Sequence, residues 1–434
     1  MIFFIVGISI LLYGIKNYHK AFLMFMLFKV VLNNNISVIS IPGVPLLTMD
    51  MFLSLCFTAL FWVKKDTLLL EKQKFPYSKA FLFLFLSWSV SAIFSVAGFS
   101  VGWSEYVGSV CTDILLVIIM WKVIIKESDY KFLLSGFTIL FFIAAIYSFY
   151  CKAISWNPII EWESTLIEDQ SRAVEVGYMS ENTIEGRGIR ISSFFSHPIG
   201  AGMNFAMYFI LIMVTYIKMS GFRIPRRKFS LIVALLCLPC VLLSNSRASI
   251  VFILIALFGC VEFNNKRFRN ILIVLIISFI VAVPYFLDYW NVIASIFDST
   301  AQEEAGGSNL EMRLGQLAAS YKIMLIQPLT GLGYKFQLVI SQSLVLELLG
   351  MESIWFGVMT KYGIIGIIST LYYMWVSVCS IPRRYKSIPL FFFSSAFWIV
   401  YTMTSLPGML LHFYFLIIFF FIKQSKIFKD NTSL

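Results

Sequence analysis

Charge is what this sequence has least of. Asp, Glu, Lys and Arg make up 13% of its 434 residues and hydrophobic residues 59%, roughly half the ~25% charged share of an ordinary soluble domain. A set of water-soluble domains is excluded on that ground. Paired cysteines are also missing. Of the seven, Cys56, Cys111, Cys237, Cys240, Cys260 and Cys379 fall in apolar runs, and only Cys151 is placed at a loop edge. Neither a disulfide framework nor a metal knot is indicated. Cys237-x-x-Cys240 has no accompanying His or second pair, so it reads as helix packing. Met1–Ile15 lacks a basic start and a small-residue cleavage site and is read as a retained first span. No internal repeat is visible, which argues against a carrier built from two matching halves.

Apolar runs are what the chain has instead. They lie near 2–15, 21–32, 46–63, 80–98, 107–125, 132–150, 199–217, 230–243, 249–263, 271–287, 352–379, 388–403 and 409–422. Runs of this length read as transmembrane helices, so the expected fold is an all-α polytopic bundle of about 12–13 spans in one integral membrane domain, 1–434.

The net charge of +11 is explained by placement. Of the 34 basic residues, 24 fall in 16–20, 64–79, 122–131, 218–228, 264–269, 380–386 and the tail 423–429. Loops rich in Lys and Arg stay on the cytoplasmic side. The intervening segments include two long ones, 151–198 and 288–351; together with Glu352 they hold 14 of the 23 acidic residues and seven basic ones, and are expected to face out. The basic residues do not interleave with aromatics along one surface, so nucleic acid is not an expected partner.

Long loops are uncommon unless they carry function or are disordered. In 288–351, Leu310, Arg313, Leu314, Leu317, Ala318, Tyr321 and Leu325 follow helical spacing between Gly306-Gly307-Ser308-Asn309 and Gln327-Pro328. This predicts an amphipathic external helix lying against the bundle. In 151–198 an acidic first part gives way to Gly186-Arg187-Gly188-Ile189-Arg190-Ile191-Ser192-Ser193-Phe194-Phe195-Ser196-His197-Pro198. Two arginines and a histidine thus sit beside glycines at the mouth of a span. The guanidinium fork suits phosphate oxygens, while a structural salt bridge is the plainer alternative. Arg247, in Ser244-Asn245-Ser246-Arg247-Ala248-Ser249, joins two apolar runs with almost no loop. It points either into a watery cavity or toward outer headgroups. Glu352 opens the late span and either serves as a general base or pairs with an arginine.

Taken in order, four stretches resemble the O-antigen ligase and O-antigen polymerase superfamily. They are Arg190-x-Ser-Ser-Phe-Phe-Ser-His-Pro-Ile, Ser244-Asn-Ser-Arg-Ala-Ser, Arg313 with Gln327-Pro-Leu-Thr-Gly-Leu-Gly-Tyr334, and Glu352-Ser-Ile-Trp leading to Gly363-Ile-Ile-Gly366. The resemblance implies a membrane glycosyltransferase of the C type in a bacterial inner membrane, with its active site facing the periplasm. Such an enzyme moves a glycan from undecaprenyl diphosphate to an acceptor hydroxyl without metal or other cofactor. It implies Arg190, Arg313 and Glu352 as catalytic residues, and Arg247, Arg187, His197 and Tyr334 as binding residues for the diphosphate or glycan. The implied partners are the undecaprenyl-diphosphate-linked oligosaccharide and membrane lipids, with a chain-length regulator as a further candidate. Ligases carry a histidine eleven residues before the first glycine of the Gly-x-x-Gly pair, where this chain has Glu352. That departure favours a polymerase. The alternatives are a ligase acting on lipid A-core and a lipid-linked oligosaccharide flippase.

Overall fold

The structure is a computed structural model that describes residues 2–32, 37–39, 47–167, 183–184, 188–219, 221–262, 264–273, 310–340, 348, 351–404 and 411–431. In chain order its helices are α1 (Ile2–Lys16), α2 (Tyr18–Lys29), α3 (Met49–Lys64), α4 (Ser78–Ile93), α5 (Phe99–Ser109), α6 (Leu116–Val123), α7 (Glu127–Ile154) and α8 (Pro158–Ser164). They continue with α9 (Pro198–Lys218), α10 (Arg227–Leu243), α11 (Arg247–Leu257), α12 (Leu310–Ile326), α13 (Ile354–Trp375), α14 (Ile381–Tyr385), α15 (Ile388–Met403) and α16 (His412–Asn431). Among the described residues, strand is confined to two short antiparallel pairs, Ser37–Ile39 with Leu47–Thr48 and Thr183–Ile184 with Gly188–Ile189. The fold is all-α and polytopic.

Among the described residues, four helices are long and apolar enough to cross a membrane: Phe99–Val123, Glu127–Ile154, Pro198–Lys218 and Ile354–Tyr385. Phe4–Lys16, Ser78–Ile93, Arg247–Cys260, Ile388–Met403 and His412–Gln424 are shorter apolar helices. Twelve of the expected spans coincide with helices; of 271–287, only 271–273 lies within the described residues. The expected run 80–98 ends early, because α4 stops at Ile93 and the chain turns through Gly98 at φ 100°. Cys151 is not at a loop edge: it lies inside α7 and is buried.

The chain divides into two compact units. The first comprises Met1–Lys126, Ser308–Arg384 and Tyr401–Leu416, and the second Glu127–Gly307, Tyr385–Val400 and Ile417–Leu434. In the first, α13 packs against α4 and α12, and α1 to α3 pack together. Tyr18 donates to the Phe57 carbonyl at 3.1 Å, and Phe25 stacks on Phe57.

In the second unit, α9 packs on α10 and α11, and α10 on α7. Every residue of α9 from Phe205 to Thr215 is buried, as expected of a helix that is apolar all round. Its start is set by Pro198 in the first turn and by His197, whose Nδ1 accepts from the Ile199 N–H at 3.1 Å. Pro has no donor to lose there, and the imidazole satisfies one of the amides a helix start leaves open. Gly202 lets α9 approach the next turn closely: a Cβ there would strike the hydroxyls of Ser244 and Ser249.

Candidate functional site

In the first unit the site is organised by a break in α13. Gly363 has φ 59° and ψ −153°, outside the helical region, in the middle of an otherwise apolar span. A break strips partners from the carbonyls before it and the amides after it, and buried orphans of this kind are costly. The segment after α12 supplies partners for two of each. Leu332 N–H donates to the Thr360 carbonyl at 2.8 Å and Gly333 N–H to that of Lys361 at 3.0 Å. In return, Ile364 and Ile365 N–H donate to the carbonyls of Pro328 and Leu329 at 2.9 and 3.1 Å. The approach is backbone to backbone, which is why glycine stands at both 331 and 363. Gly331 has φ 67°, and a Cβ on either residue would meet main-chain atoms of the other segment.

The end of α4 closes the same knot. Ser91 Oγ donates to the Lys361 carbonyl at 2.6 Å, Val96 N–H to that of Leu332 at 3.0 Å, and Gln327 Nε2 to that of Phe94 at 3.1 Å. Tyr334 is fixed here. Its hydroxyl is 3.3 Å from that of Tyr362, whose ring stacks on Trp88. Burial raises the Tyr334 phenol well above its ordinary range, so it acts as a neutral hydrogen-bonding group.

Arg313 and Glu352 meet. One Nη of Arg313 donates to Glu352 Oε2 at 2.9 Å and to the Met403 carbonyl at 3.3 Å. Gln316, one turn after Arg313 on α12, is buried and accepts the Glu352 N–H at 3.2 Å. Glu352 is therefore held at both its backbone and its carboxylate by α12. The arginine pairing weighed for Glu352 in the sequence is present in the geometry, and it leaves the general-base reading open.

A second polar group in this unit was not singled out from sequence. Lys29 and Asp50 form a buried ion pair, and Asp113 lies within electrostatic reach of both. Asp113 sits on the π-helical turn Val110–Leu115 between α5 and α6, an irregularity often found at functional sites. His412 bonds to the Thr112 backbone, and its Nε2 has no hydrogen-bond partner among the described residues. The signal available in the sequence was the isolation of these ionisable residues at the ends or middles of apolar runs.

In the second unit, Arg190 is 6% exposed and its neighbours are locked by hydrogen bonds. Ile191 N–H donates to the Leu243 carbonyl at 2.9 Å, at the end of α10 and four residues before Arg247. Asn157, fully buried, donates to Ser192 Oγ at 3.1 Å and to the Ser193 carbonyl at 2.6 Å. Its own oxygen accepts from Tyr147 Oη and Ile160 N–H, which caps α8. Ser193 has φ 54° and donates through its hydroxyl to the Ala144 carbonyl at 2.8 Å. Ile191, Leu243 and Cys151 form a small core beneath this segment. Arg247 opens α11 and is partly buried.

Of the residues expected from sequence, Arg313 and Glu352 are in direct contact, and Tyr334 belongs to the adjoining knot. Arg190, His197 and Arg247 belong to the second unit, and Arg187 lies outside the described residues. His197 has one ring nitrogen committed to the cap of α9. Asn157, Gln316 and the Gly331–Gly363 contact were missed. Among the described residues no cluster of three or more His, Cys, Asp or Glu is placed to hold a metal ion.

These features define a multi-pass, all-α membrane protein with cationic groups fixed at the ends of its apolar helices. Residues 232–371 match the family model described as O-Antigen ligase, and this match supports the superfamily of O-antigen ligases and polymerases that the motifs resemble. It thereby supports a glycosyltransferase-like enzyme of the ligase or polymerase type. The matched stretch includes Arg247, Arg313, Tyr334, Glu352 and Gly363, and it ends before the last two long helices. Comparison with curated proteins gave no match.

Proposed function

We propose that the protein is an inner-membrane polymerase that joins undecaprenyl-diphosphate-linked oligosaccharide repeat units at the periplasmic face. The growing chain passes from its lipid diphosphate to the non-reducing end of a new lipid-linked unit. In this reaction the acceptor hydroxyl oxygen forms a bond to the anomeric carbon, and the bond from that carbon to the diphosphate oxygen breaks. The diphosphate leaves with the electron pair. Charge develops on the leaving group, and fixed guanidinium donors in a site of low dielectric are well suited to stabilise it. The resemblance assigns that part to Arg313, Arg190 and Arg247, and contact with the glycan or diphosphate to Arg187, His197 and Tyr334.

The observation that carries this reading is the Arg313–Glu352 pair at 2.9 Å. A carboxylate stands where the ligases carry histidine, and it is built into the anchoring of an arginine. Glu352 therefore sets the Arg313 fork for bidentate work on an anion, and it receives the proton of the acceptor hydroxyl as that oxygen attacks. The ligase reading requires Glu352 to do the work of the histidine that ligases carry at this place. A flippase reading needs a long basic passage and repeated halves; no repeat is visible in the sequence, and the arginines gather beside the two long loops.

The test is the ladder of lipid-linked and surface polysaccharide in a deletion strain complemented with wild type, R190A or E352Q. A polymerase leaves single repeat units on the lipid core in the deletion strain, with R190A and E352Q failing to restore the ladder. Core without any repeat, accompanied by long chains held on undecaprenyl diphosphate, identifies a ligase instead. Normal ladders from E352Q would remove Glu352 from the mechanism.

A further inference from the structure

The helix α12 faces the opposite way from the sequence expectation. Leu314, Leu317, Tyr321 and Leu325 were expected to form its contact with the bundle, yet all four are exposed, Leu325 by 53% and Leu314 by 56%. The buried side consists of Gln316, Ala319, Ser320, Ile323 and Met324. At about 100° per residue, three separate strips run along this one helix. The first is the buried strip, which includes two polar residues and borders Arg313. The second is the apolar stripe of Leu314, Leu317, Tyr321 and Leu325. Between the stripe and the buried side lies a third, made of Glu311, Gly315, Ala318 and Lys322, all exposed.

A helix in water does not turn its leucines outward and its glutamine and serine inward. Contiguous exposed apolar patches on soluble surfaces are small, and larger ones mark contact with another apolar phase. The stripe is also continuous with a surface of that kind. Four residues beyond Leu325 comes Leu329, also exposed, whose carbonyl accepts from Ile365 N–H. There the exposed side of α13 begins, with Ile364, Ile365, Ile368 and Leu371 on one of the four helices long and apolar enough to cross a membrane. A narrow charged ridge beside a broad apolar stripe is the pattern of a helix lying in the plane of a membrane interface.

We propose that α12 is an interfacial membrane helix whose Leu314–Leu325 stripe is covered by the acyl chains of the outer leaflet and whose Glu311–Lys322 ridge lies at the water boundary. The partner is bilayer lipid. The assignment to lipid stands on burial and continuity, the choice of leaflet on the expected outward facing of 288–351, and both hold whether or not the polymerase reading does. If that reading also holds, Arg313 is presented at headgroup depth, where a lipid-linked diphosphate lies, and the donor arrives sideways from the bilayer.

The test uses the full-length protein, purified and reconstituted into vesicles of phosphatidylethanolamine and phosphatidylglycerol, with tritiated phosphatidylethanolamine as the probe. The photoreactive residue benzoylphenylalanine is placed singly at positions 321, 325 and 322 and irradiated. Lipid adducts are expected at 321 and 325, several-fold above those at 322. A crosslinked dimer from 321 or 325 in place of lipid adduct would show that a second copy covers the stripe, overturning the assignment. Equal low yields at all three positions would do the same by placing the stripe in water. Thermal stability of each variant, measured beside wild type, establishes that the yields come from folded protein. A variant that unfolds at 321 or 325 is replaced by one at Leu317 on the same stripe.

Discussion

Arg313 is carried by a regular helix and fixed by an ion pair to Glu352, whereas Arg190 is carried by an irregular segment whose position rests on hydrogen bonds made by its neighbours to Asn157, Leu243 and Ala144. Each unit also holds a different device for fixing its chain. In the first unit a helix is broken at Gly363 and a loop is threaded into the break. In the second, among the described residues, no helix is broken at a non-helical residue, and one buried amide side chain gathers four hydrogen bonds from three parts of the chain. The difference shows two ways of fixing a chain segment among apolar helices where water is scarce. One converts orphaned backbone groups into a docking site, and the other uses a neutral side chain whose donors and acceptors are all used. Both rest on groups that are expensive to leave unmatched.

The largest effect should come from breaking the first device. G363A forces a residue with a Cβ into φ 59° and drives that carbon toward the Gly331 amide and the Pro328 carbonyl. With strain and lost hydrogen bonds combined, a destabilisation of about 3 kcal/mol or more is expected. It should be read as a fall in the unfolding midpoint in lipid nanodiscs. A G363A protein as stable as wild type would mean that the loop and the break are not interdependent.

A smaller loss is expected from N157A, about 2–4 kcal/mol, because the Tyr147 hydroxyl and the Ser193 carbonyl lose a buried partner. N157D keeps the acceptor oxygen but sets a second carboxylate oxygen against the Ser193 carbonyl in a fully buried site, so at neutral pH it should be at least as destabilised as N157A. An N157D protein as stable as wild type would show that the two hydrogen bonds donated by Asn157 are not needed and that the amide is not the hub described.

The spans at α7 and α9 were legible in the sequence because an unbroken apolar run has few other uses. The existence of α12, from Leu310 to Ile326, was legible from its periodicity and from Gln327-Pro328, since the residue before a proline disfavours helix. Its facing was not. Apolar periodicity gives the angle of a stripe but does not say whether lipid or protein covers it, and in a membrane protein the two media are equally apolar. The break in α13 was hidden for another reason. Gly363 and Gly366 read as ordinary small residues in a span, and the requirement for φ 59° arises only when the 328–333 backbone is beside them. Arg190, Arg247, Arg313 and Glu352 stood out because a fixed charge at an apolar boundary needs a partner. Asn157 did not, since one Asn before a proline looks like any helix start. The contact between Lys29, Asp50, Asp113 and His412 joins residues almost four hundred positions apart, a separation that no local pattern bridges.

The smallest expected effect separates an ion pair with a task from one without. Lys218 and Glu262 pair at 2.9 Å in an exposed setting, and the hydrogen bonds from Lys218 and Asn265 hold the Glu262 carboxyl below its ordinary value. A carboxylate with a lowered folded-state pKa adds stability above its unfolded value, and that contribution is lost as pH falls through the folded one. Exposure screens it, as for most surface pairs. E262Q should therefore lie only slightly below wild type in unfolding midpoint at neutral pH, and the gap should close on acidification through the carboxylate range. Polysaccharide ladders from E262Q should match wild type, whereas E352Q should lose them. A gap that widens toward acid would show that Glu262 is protonated more readily in the folded protein than in the unfolded chain. A ladder lost in E262Q as fully as in E352Q would erase the distinction between the two pairs.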